Sequence, residues 1–320
     1  MKRYTRFALA IALTLALIVS GLIAMTSANS FEIFDGSRLD FPEEFTRLGM
    51  RQMCVLYPSQ VYRDKSTSRR ALPAEKNIRA AARDAARDCT HAVIDIESWM
   101  PKMNKAGRLL NQKFRNNYVK LARIWKEENS TTKLGFYNMP RRADNYKALR
   151  KNLAAADDYL ELQRSFMEPL KGMVDFAVTS AYWKYDDQKR NIEWWRLAME
   201  ATDSAWGKDV PHYFFVWWRG VGPDHENAAA GGKGHAWLDV SRWKFMMDWM
   251  QQNADGVILW SRKDEEQPDE MRGTPIRGGQ PYKNWSTAKM LREQQAADYG
   301  LSVPEALWIR DLRDRLRDNH

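Results

Sequence analysis

Two carboxylates stand two residues apart in a stretch whose other residues are typical of a buried strand. The stretch is HAVIDIESWM, residues 91–100, and the acids are Asp95 and Glu97. Side chains alternate along a strand, so both acids are expected on one face with Val93, while the two isoleucines face the other way. Because unpaired buried carboxylates are costly, the pattern indicates a chemical role.

The spacing of the two acids restricts the reaction that they could perform. Two residues of strand place their Cα atoms ~7 Å apart on one wall, whereas an ordinary acid and nucleophile must flank a glycosidic bond. An acid with a helper fits better. Glu97 would protonate the leaving oxygen, and Asp95 would orient a nucleophile that belongs to the substrate, the acetamido group of an N-acetylated sugar. Two close carboxyls also raise the pKa of one of them. The alternative is a structural ion pair with an arginine that holds a loop.

The elements that must position these acids alternate between strands and helices. Apolar and aromatic runs predict strands at residues 52–58, 91–97, 133–140, 174–183, 211–220 and 254–261. Helical periodicity predicts helices at 77–88, along Leu110, Phe114, Tyr118, Leu121 and Trp125, and within 145–170 and 191–206. This order predicts a parallel sheet with outer helices, and a single (β/α) barrel, typically ~250 residues, fits the length. The two acids would then lie at the carboxyl end of a strand, where barrel enzymes hold their chemistry.

Residues 1–28 are predicted to be a secretory signal peptide. Three basic residues precede an apolar run from Phe7 to Met25, and small residues at 26–28 suit cleavage. The alternative is a retained membrane anchor, because the run is nearly long enough to span a bilayer. If the segment is removed, the protein is expected to be secreted or periplasmic, and if it is retained, membrane-anchored. In both cases residues 29–320 are expected to be exported as one barrel domain with a C-terminal helical tail.

Charge and cysteine content are consistent with export. Removing residues 1–28 takes away three positive charges and no acid, so the net charge falls from +9 to +6. A modest basic excess suits polyanionic polysaccharides or anionic membranes, and no nucleic-acid partner is expected. Cys54 and Cys89 are predicted to form a disulfide, with two buried thiols as the alternative. The five histidines lack metal-ligand spacing, so neither a metal nor another cofactor is predicted.

Four segments together resemble the hyaluronidases of the animal and venom type, a family of glycoside hydrolases. VIDIESW (93–99) is similar to the family's V-I-D-W-E-x-W signature, and GFYNMP (135–140) to its G-[FY]-Y-x-F-P segment. TSAY (179–182) resembles its P-S-x-Y strand end, and ADGVILW (254–260) resembles G-A-x-G-[VI]-V-[IL]-W. The segments occur in the family's order and span residues 91–262.

The resemblance implies a (β/α) barrel that cleaves β-linked N-acetylhexosamine by substrate-assisted retention. Carried over by position, Glu97 is the acid/base and Asp95 holds the acetamido group. Tyr137 and Tyr182 would bind and polarise that group, and Trp260 would line the sugar site.

The chain also departs from the family. Ile96 stands where the family has a tryptophan, Met139 replaces an aromatic residue, and the family's cysteine framework is missing. The acid pair is intact, but the substrate stays open between hyaluronan, chondroitin, peptidoglycan and other exopolysaccharides.

Further aromatic residues at predicted strand ends are candidates for stacking on sugar rings, with core packing as the alternative. Trp99 and Trp218 are assigned to substrate binding, and consecutive residues point to opposite faces, so only one of Trp217 and Trp218 can point inward. Arg219 is a candidate partner for a uronate carboxylate. Two other functions stay open, a muramidase-like peptidoglycan hydrolase and a non-catalytic carbohydrate-binding barrel.

Overall fold

Seven parallel strands form a nearly closed barrel in the computed structural model. The described residues are 31–36, 50–63, 70–103, 109–110, 112–139, 151, 153–217, 238, 240–260 and 307–318. Their strands are β1 (Glu32–Asp35), β2 (Arg51–Leu56), β3 (His91–Ile94), β4 (Lys102–Met103), β5 (Leu109–Leu110), β6 (Lys133–Phe136), β7 (Ala177–Ser180), β8 (His212–Val216) and β9 (Gly256–Leu259). The sheet order is β6-β3-β2-β1-β9-β8-β7, and β4 and β5 form a separate antiparallel pair. The predicted fold class, a (β/α) barrel, is confirmed.

Helices follow the barrel strands along the chain. They are α1 (Pro58–Tyr62), α2 (Glu75–Asp88), α3 (Arg115–Glu128), α4 (Leu153–Met167), α5 (Gln188–Trp206), α6 (Val240–Asn253) and α7 (Leu307–Asp318), with 3-10 turns at Glu97–Trp99, Gln112–Phe114 and Glu168–Leu170. In α2 the buried residues Ile78, Ala81, Ala82 and Ala85 recur at helical spacing, which gives the helix its inner face. None of the helices described is long and apolar enough to cross a bilayer. The predicted signal peptide lies outside the described residues.

The structure corrects several predicted boundaries. β1 was not predicted at all, and β3 ends at Ile94 rather than at residue 97. Leu110 belongs to β5, so the third helix begins only at Arg115. The strand β3 ends early because its pairing stops at Ile94, which is opposite Leu56 of β2 and Phe136 of β6.

Side-chain alternation along the strands separates two cores. The barrel interior contains Phe34, Met53, Val93, Phe176, Val178, Tyr213, Phe215 and Ile258. The layer between sheet and helices contains both Ile94 and Ile96, together with the inner faces of α2 and α3. The predicted orientation of the two isoleucines is therefore confirmed.

An aromatic cluster fills the amino-terminal end of the barrel. The His91 ring lies 4.7 Å from Phe34 and 5.5 Å from Phe176, and Phe176 lies 5.1 Å from Tyr213. Gly135 makes room for this cluster, because a Cβ atom there would lie 2.4 Å from the Phe176 ring. His91 begins β3, so it lies at the amino-terminal end of the barrel.

The barrel closes at a seam between β6 and β7, where only isolated bridges join the two strands. Tyr137 pairs with Val178 in the parallel sense, and Met139 pairs with the same residue in the antiparallel sense. Between them, Asn138 has a positive φ of 56°, and its N–H donates to the Val178 carbonyl at 2.8 Å. The left-handed residue therefore turns the chain back onto β7, and it does so directly after Tyr137.

Two further contacts fix elements around the barrel. Cys54 of β2 and Cys89 at the end of α2 form a disulfide with a Cα–Cα distance of 5.8 Å. The C-terminal helix α7 is held on α6 by the buried Arg315, whose guanidinium pairs with Asp311 and Asp248.

Candidate active site

A ring of polar and aromatic side chains surrounds the carboxyl end of the barrel. Its members lie one or two residues beyond a strand end, and they are Tyr57, Asp95, Tyr137, Tyr182, Trp217 and Trp260. Alternation directs them inward, because Val93, Phe215 and Ile258, which lie two residues before three of them, face the barrel interior. After β1 the corresponding residue is Gly36, where a Cβ atom would lie 2.5 Å from Ile258. The ring is therefore built from six different strands, and it leaves one position without a side chain.

The two predicted acids occupy different positions in this ring. Asp95 continues the line of β3, with its N–H donating to the Leu56 carbonyl at 2.9 Å, and its side chain is half-buried. Glu97 opens a 3-10 turn and its side chain is exposed. The expectation that both acids share one strand face is therefore wrong for Glu97. Asp95 points into the barrel mouth, and Glu97 lies on the turn that follows.

The turn forms because Trp99 is drawn into the core. Trp99 is fully buried, with its ring 5.2 Å from Tyr118 of α3 and 6.5 Å from Tyr62 of α1. The Trp99 N–H donates to the Ile96 carbonyl at 3.0 Å, which closes the turn. Trp99 was assigned to substrate binding, but the structure gives its ring a place under the Glu97 turn with no surface facing solvent.

The two predicted tyrosines meet across the seam between β6 and β7. A side-chain hydrogen bond joins the hydroxyls of Tyr137 and Tyr182, and Ser180 bonds to the Tyr137 hydroxyl. Burial, followed by the charge of Asp95, raises the pKa of Tyr137 to about 12. Burial and the neighbouring Tyr137 raise the pKa of Tyr182 well above its ordinary value. Both hydroxyls therefore keep their protons at neutral pH. One of the two O–H groups is used in the hydrogen bond between them, so the pair has one free O–H donor.

Three aromatic rings form a wall beside the tyrosine pair. The Trp260 ring lies 5.6 Å from Tyr182 and 5.0 Å from Trp217. Its Nε1–H donates to the Tyr57 hydroxyl at 2.8 Å, which fixes the orientation of the indole. Tyr57 and Trp260 are both half-buried, so each keeps an accessible edge at the mouth. The accessible edges of Tyr57 and Trp260, beside fixed hydroxyls and a carboxylate, form a surface to which a sugar ring can bind.

Sequence reasoning and structure differ on which residues complete the site. Trp218 and Arg219 lie outside the described residues, and the neighbour Trp217 is the residue that packs against Trp260. Tyr57 was not proposed from the sequence, although it lies near the carboxyl end of the predicted strand 52–58 and directly follows β2 in the structure. No group of three or more potential metal ligands converges within the part of the chain that the structure describes.

Comparison with known proteins assigns no family to the chain. No protein-family model matches it, and no curated protein matches it significantly in sequence. A GH10 xylanase from Thermobacillus composti is similar in structure at 10% identity and a TM-score of 0.43, over 78% of this chain and 89% of that chain. A chitinase from Rhizomucor miehei is similar at 14% identity and 0.37, over 77% and 92%. A GH18 chitinase from Pseudoalteromonas aurantia is similar at 10% identity and 0.33, over 70% and 75%. Likenesses this distant do not establish an activity for the chain.

Proposed function

We propose that the protein is a glycoside hydrolase that cleaves β-linked N-acetylhexosamine in polysaccharides. The observation that carries the proposal is the convergence of Asp95, Tyr137 and Tyr182 at the ends of three different strands. Glu97 lies two residues from Asp95 at the same end of the barrel. The resemblance of the segments around these residues to hyaluronidases supports the same function.

In the proposed mechanism the substrate supplies its own nucleophile. Asp95 orients the acetamido group so that its carbonyl oxygen attacks the anomeric carbon, while Glu97 donates a proton to the leaving glycosidic oxygen. Water then opens the cyclic intermediate with Glu97 as the base, which retains the anomeric configuration. Since one tyrosine hydroxyl donates to the other, the pair of Tyr137 and Tyr182 has one free O–H with which to donate to the acetamido group.

The two acids suit these roles because of where they lie. The half-buried Asp95 carboxylate at the barrel mouth is close enough to raise the pKa of both tyrosines. It therefore lies near the hydroxyls that would bind the same acetamido group. An exposed carboxyl on the following turn can reach a linking oxygen from one side. Neither position requires a second carboxylate on the opposite wall, which an ordinary retaining pair would need.

The test is reducing-end release from hyaluronan, chondroitin and peptidoglycan by the purified protein. We expect one polymer to be cleaved, and Glu97→Gln to lower kcat by about 10²-fold or more, because it removes the proton donor. Glu200→Gln, which changes a carboxylate on the outer helix α5 in the same way, is the matched control and is expected to have no effect.

Each outcome of this test assigns a function. Cleavage of peptidoglycan alone would favour a muramidase-like hydrolase. Binding without turnover by the wild type would replace the hydrolase with a carbohydrate-binding barrel. Equal rates for the wild type and Glu97→Gln would remove Glu97 from the mechanism.

We also propose that the chain is exported and processed near residue 28. The Cys54–Cys89 disulfide supports this proposal, because such bonds persist in oxidising compartments. Mass spectrometry of the protein recovered from the periplasm or the culture fluid would show whether residues 1–28 have been removed.

A further inference from the structure

A buried tyrosine lies directly beneath the turn that links the two acids. The Tyr118 hydroxyl of α3 donates to the Ile96 carbonyl at 3.3 Å. Ile96 is the residue between Asp95 and Glu97, and its carbonyl also accepts the Trp99 N–H at 3.0 Å. One backbone oxygen therefore receives both the hydrogen bond that closes the 3-10 turn and a hydrogen bond from the helix layer.

The Tyr118 ring is held rigidly from three sides. It is 1% exposed, and it makes edge contacts with Trp99 at 5.2 Å, Phe136 at 5.0 Å and Phe166 at 6.2 Å. These rings belong to the acid turn, to β6 and to α4, so the hydroxyl is fixed relative to the barrel itself. Burial, followed by the charge of Asp95, raises the pKa of Tyr118 well above its ordinary value, and Glu97 acts in the same direction. The hydroxyl is therefore a permanent donor.

We propose that Tyr118 is a positioning residue that sets the distance and angle between Asp95 and Glu97 by holding the Ile96 carbonyl. A backbone hydrogen bond to the Leu56 carbonyl holds Asp95 in line with β3. Strand pairing ends before Glu97, which is exposed and starts a three-residue turn. The turn needs a second anchor to present a carboxyl in one place, and the Tyr118 hydroxyl supplies it. This inference rests on the proposed function, in which the two acids act on one substrate.

The chain offers a matched control in Tyr62. Tyr62 is also buried, at 3% exposure, its ring also contacts Trp99, and its hydroxyl also donates to a backbone carbonyl, that of Ala71, at 2.8 Å. Tyr62→Phe therefore removes a hydrogen bond of the same kind beside the same tryptophan, at a carbonyl far from the acids in sequence. Both phenylalanine variants keep the ring and are expected to fold.

The experiment compares the wild type, Tyr118→Phe and Tyr62→Phe as full chains. For Tyr118→Phe we expect kcat to fall about tenfold with KM changed by less than about twofold, because a lost hydrogen bond loosens the acid without removing substrate contacts. We also expect hydrogen–deuterium exchange of the Trp99 amide to become about five- to tenfold faster, because this amide closes the turn. Tyr62→Phe is expected to stay within about twofold of the wild type in both measurements.

Two results would overturn the inference. One is equal kcat and equal Trp99 exchange in the two variants, and the other is a rise in KM with kcat unchanged. Failure of the proposed function is distinguishable, because it appears as a wild type without turnover. The exchange measurement would in that case still decide whether Tyr118 holds the turn.

Discussion

Adding one methyl group at Gly135 is expected to destabilise the barrel from the inside. Gly135 lies on β6 and faces Phe176, and an alanine Cβ would lie 2.4 Å from one ring carbon and 2.9 Å from two others. Ordinary carbon contacts are ~3.5–4.0 Å, so the ring must move by about 1 Å. Phe176 is fully buried against His91 and Tyr213, and it has little room to move.

The magnitude follows from this overlap. Overpacking of a filled core costs about 1–3 kcal/mol, and the rigid aromatic neighbours place Gly135→Ala near the upper end. Replacing glycine returns about 0.4–1 kcal/mol through the unfolded chain if the backbone conformation suits alanine. We therefore expect a loss of about 2 kcal/mol, which for a chain of this length corresponds to a fall in Tm of roughly 3 °C.

Urea unfolding followed by circular dichroism measures this loss, and a second substitution identifies its cause. Phe176→Leu shortens the side chain that the new methyl group would meet. The loss of unfolding free energy in the double variant is expected to be smaller than the sum of the two single losses, by about 1 kcal/mol or more. Wild-type stability in Gly135→Ala, or additive losses in the double variant, would refute the steric reasoning.

Two further predictions concern pH and the disulfide. Burial lowers the pKa of His91 to about 4 and that of His212 to about 3. The unfolded chain therefore binds protons near pH 6.5 that the folded chain does not bind, and stability should fall between about pH 6.5 and 4, by up to about 1.4 kcal/mol per pH unit for each histidine. Urea unfolding at several pH values should show this slope, and it should be shallower in His91→Phe, so equal slopes would contradict the assignment. Reduction of the Cys54–Cys89 bond, which joins residues 35 apart in sequence, should lower the unfolding free energy by about 4 kcal/mol. Thermal melts with and without a reductant would measure this loss, and a Cys54→Ser/Cys89→Ser variant, insensitive to reductant, is the control.

Local patterns in the sequence were sufficient to predict the barrel fold and the orientation of one of the two acids. The alternation of strand-like and helix-like segments predicted a parallel sheet, and the two-residue period along β3 predicted that Asp95 faces inward. Both signals depend on neighbouring residues only. β1 escaped notice because its four residues include Glu32 and Asp35, which obscure an apolar run.

The position of Glu97 depends on contacts that no local pattern records. The sequence pattern predicted a strand that continues to Glu97. In the structure Trp99 is buried between α1, which begins at Pro58, and α3, which begins at Arg115. Those helices decide that the chain turns after Asp95. Tyr57 was missed for a related reason, since its partner Trp260 is 203 residues away in sequence.

In the proposed function, the seam between β6 and β7 would couple sugar binding to closure of the barrel. Tyr137 stands on one side of this joint and Tyr182 on the other, so the hydrogen bond between their hydroxyls crosses the place where the fewest backbone bonds hold the barrel closed. A sugar that contacts both hydroxyls would connect the two sides of the seam. Because it would bind only the closed barrel, its binding would stabilise that state, with a free energy that rises with the logarithm of the sugar concentration. Opening of the joint would in turn separate the two hydroxyls and weaken the binding of such a sugar.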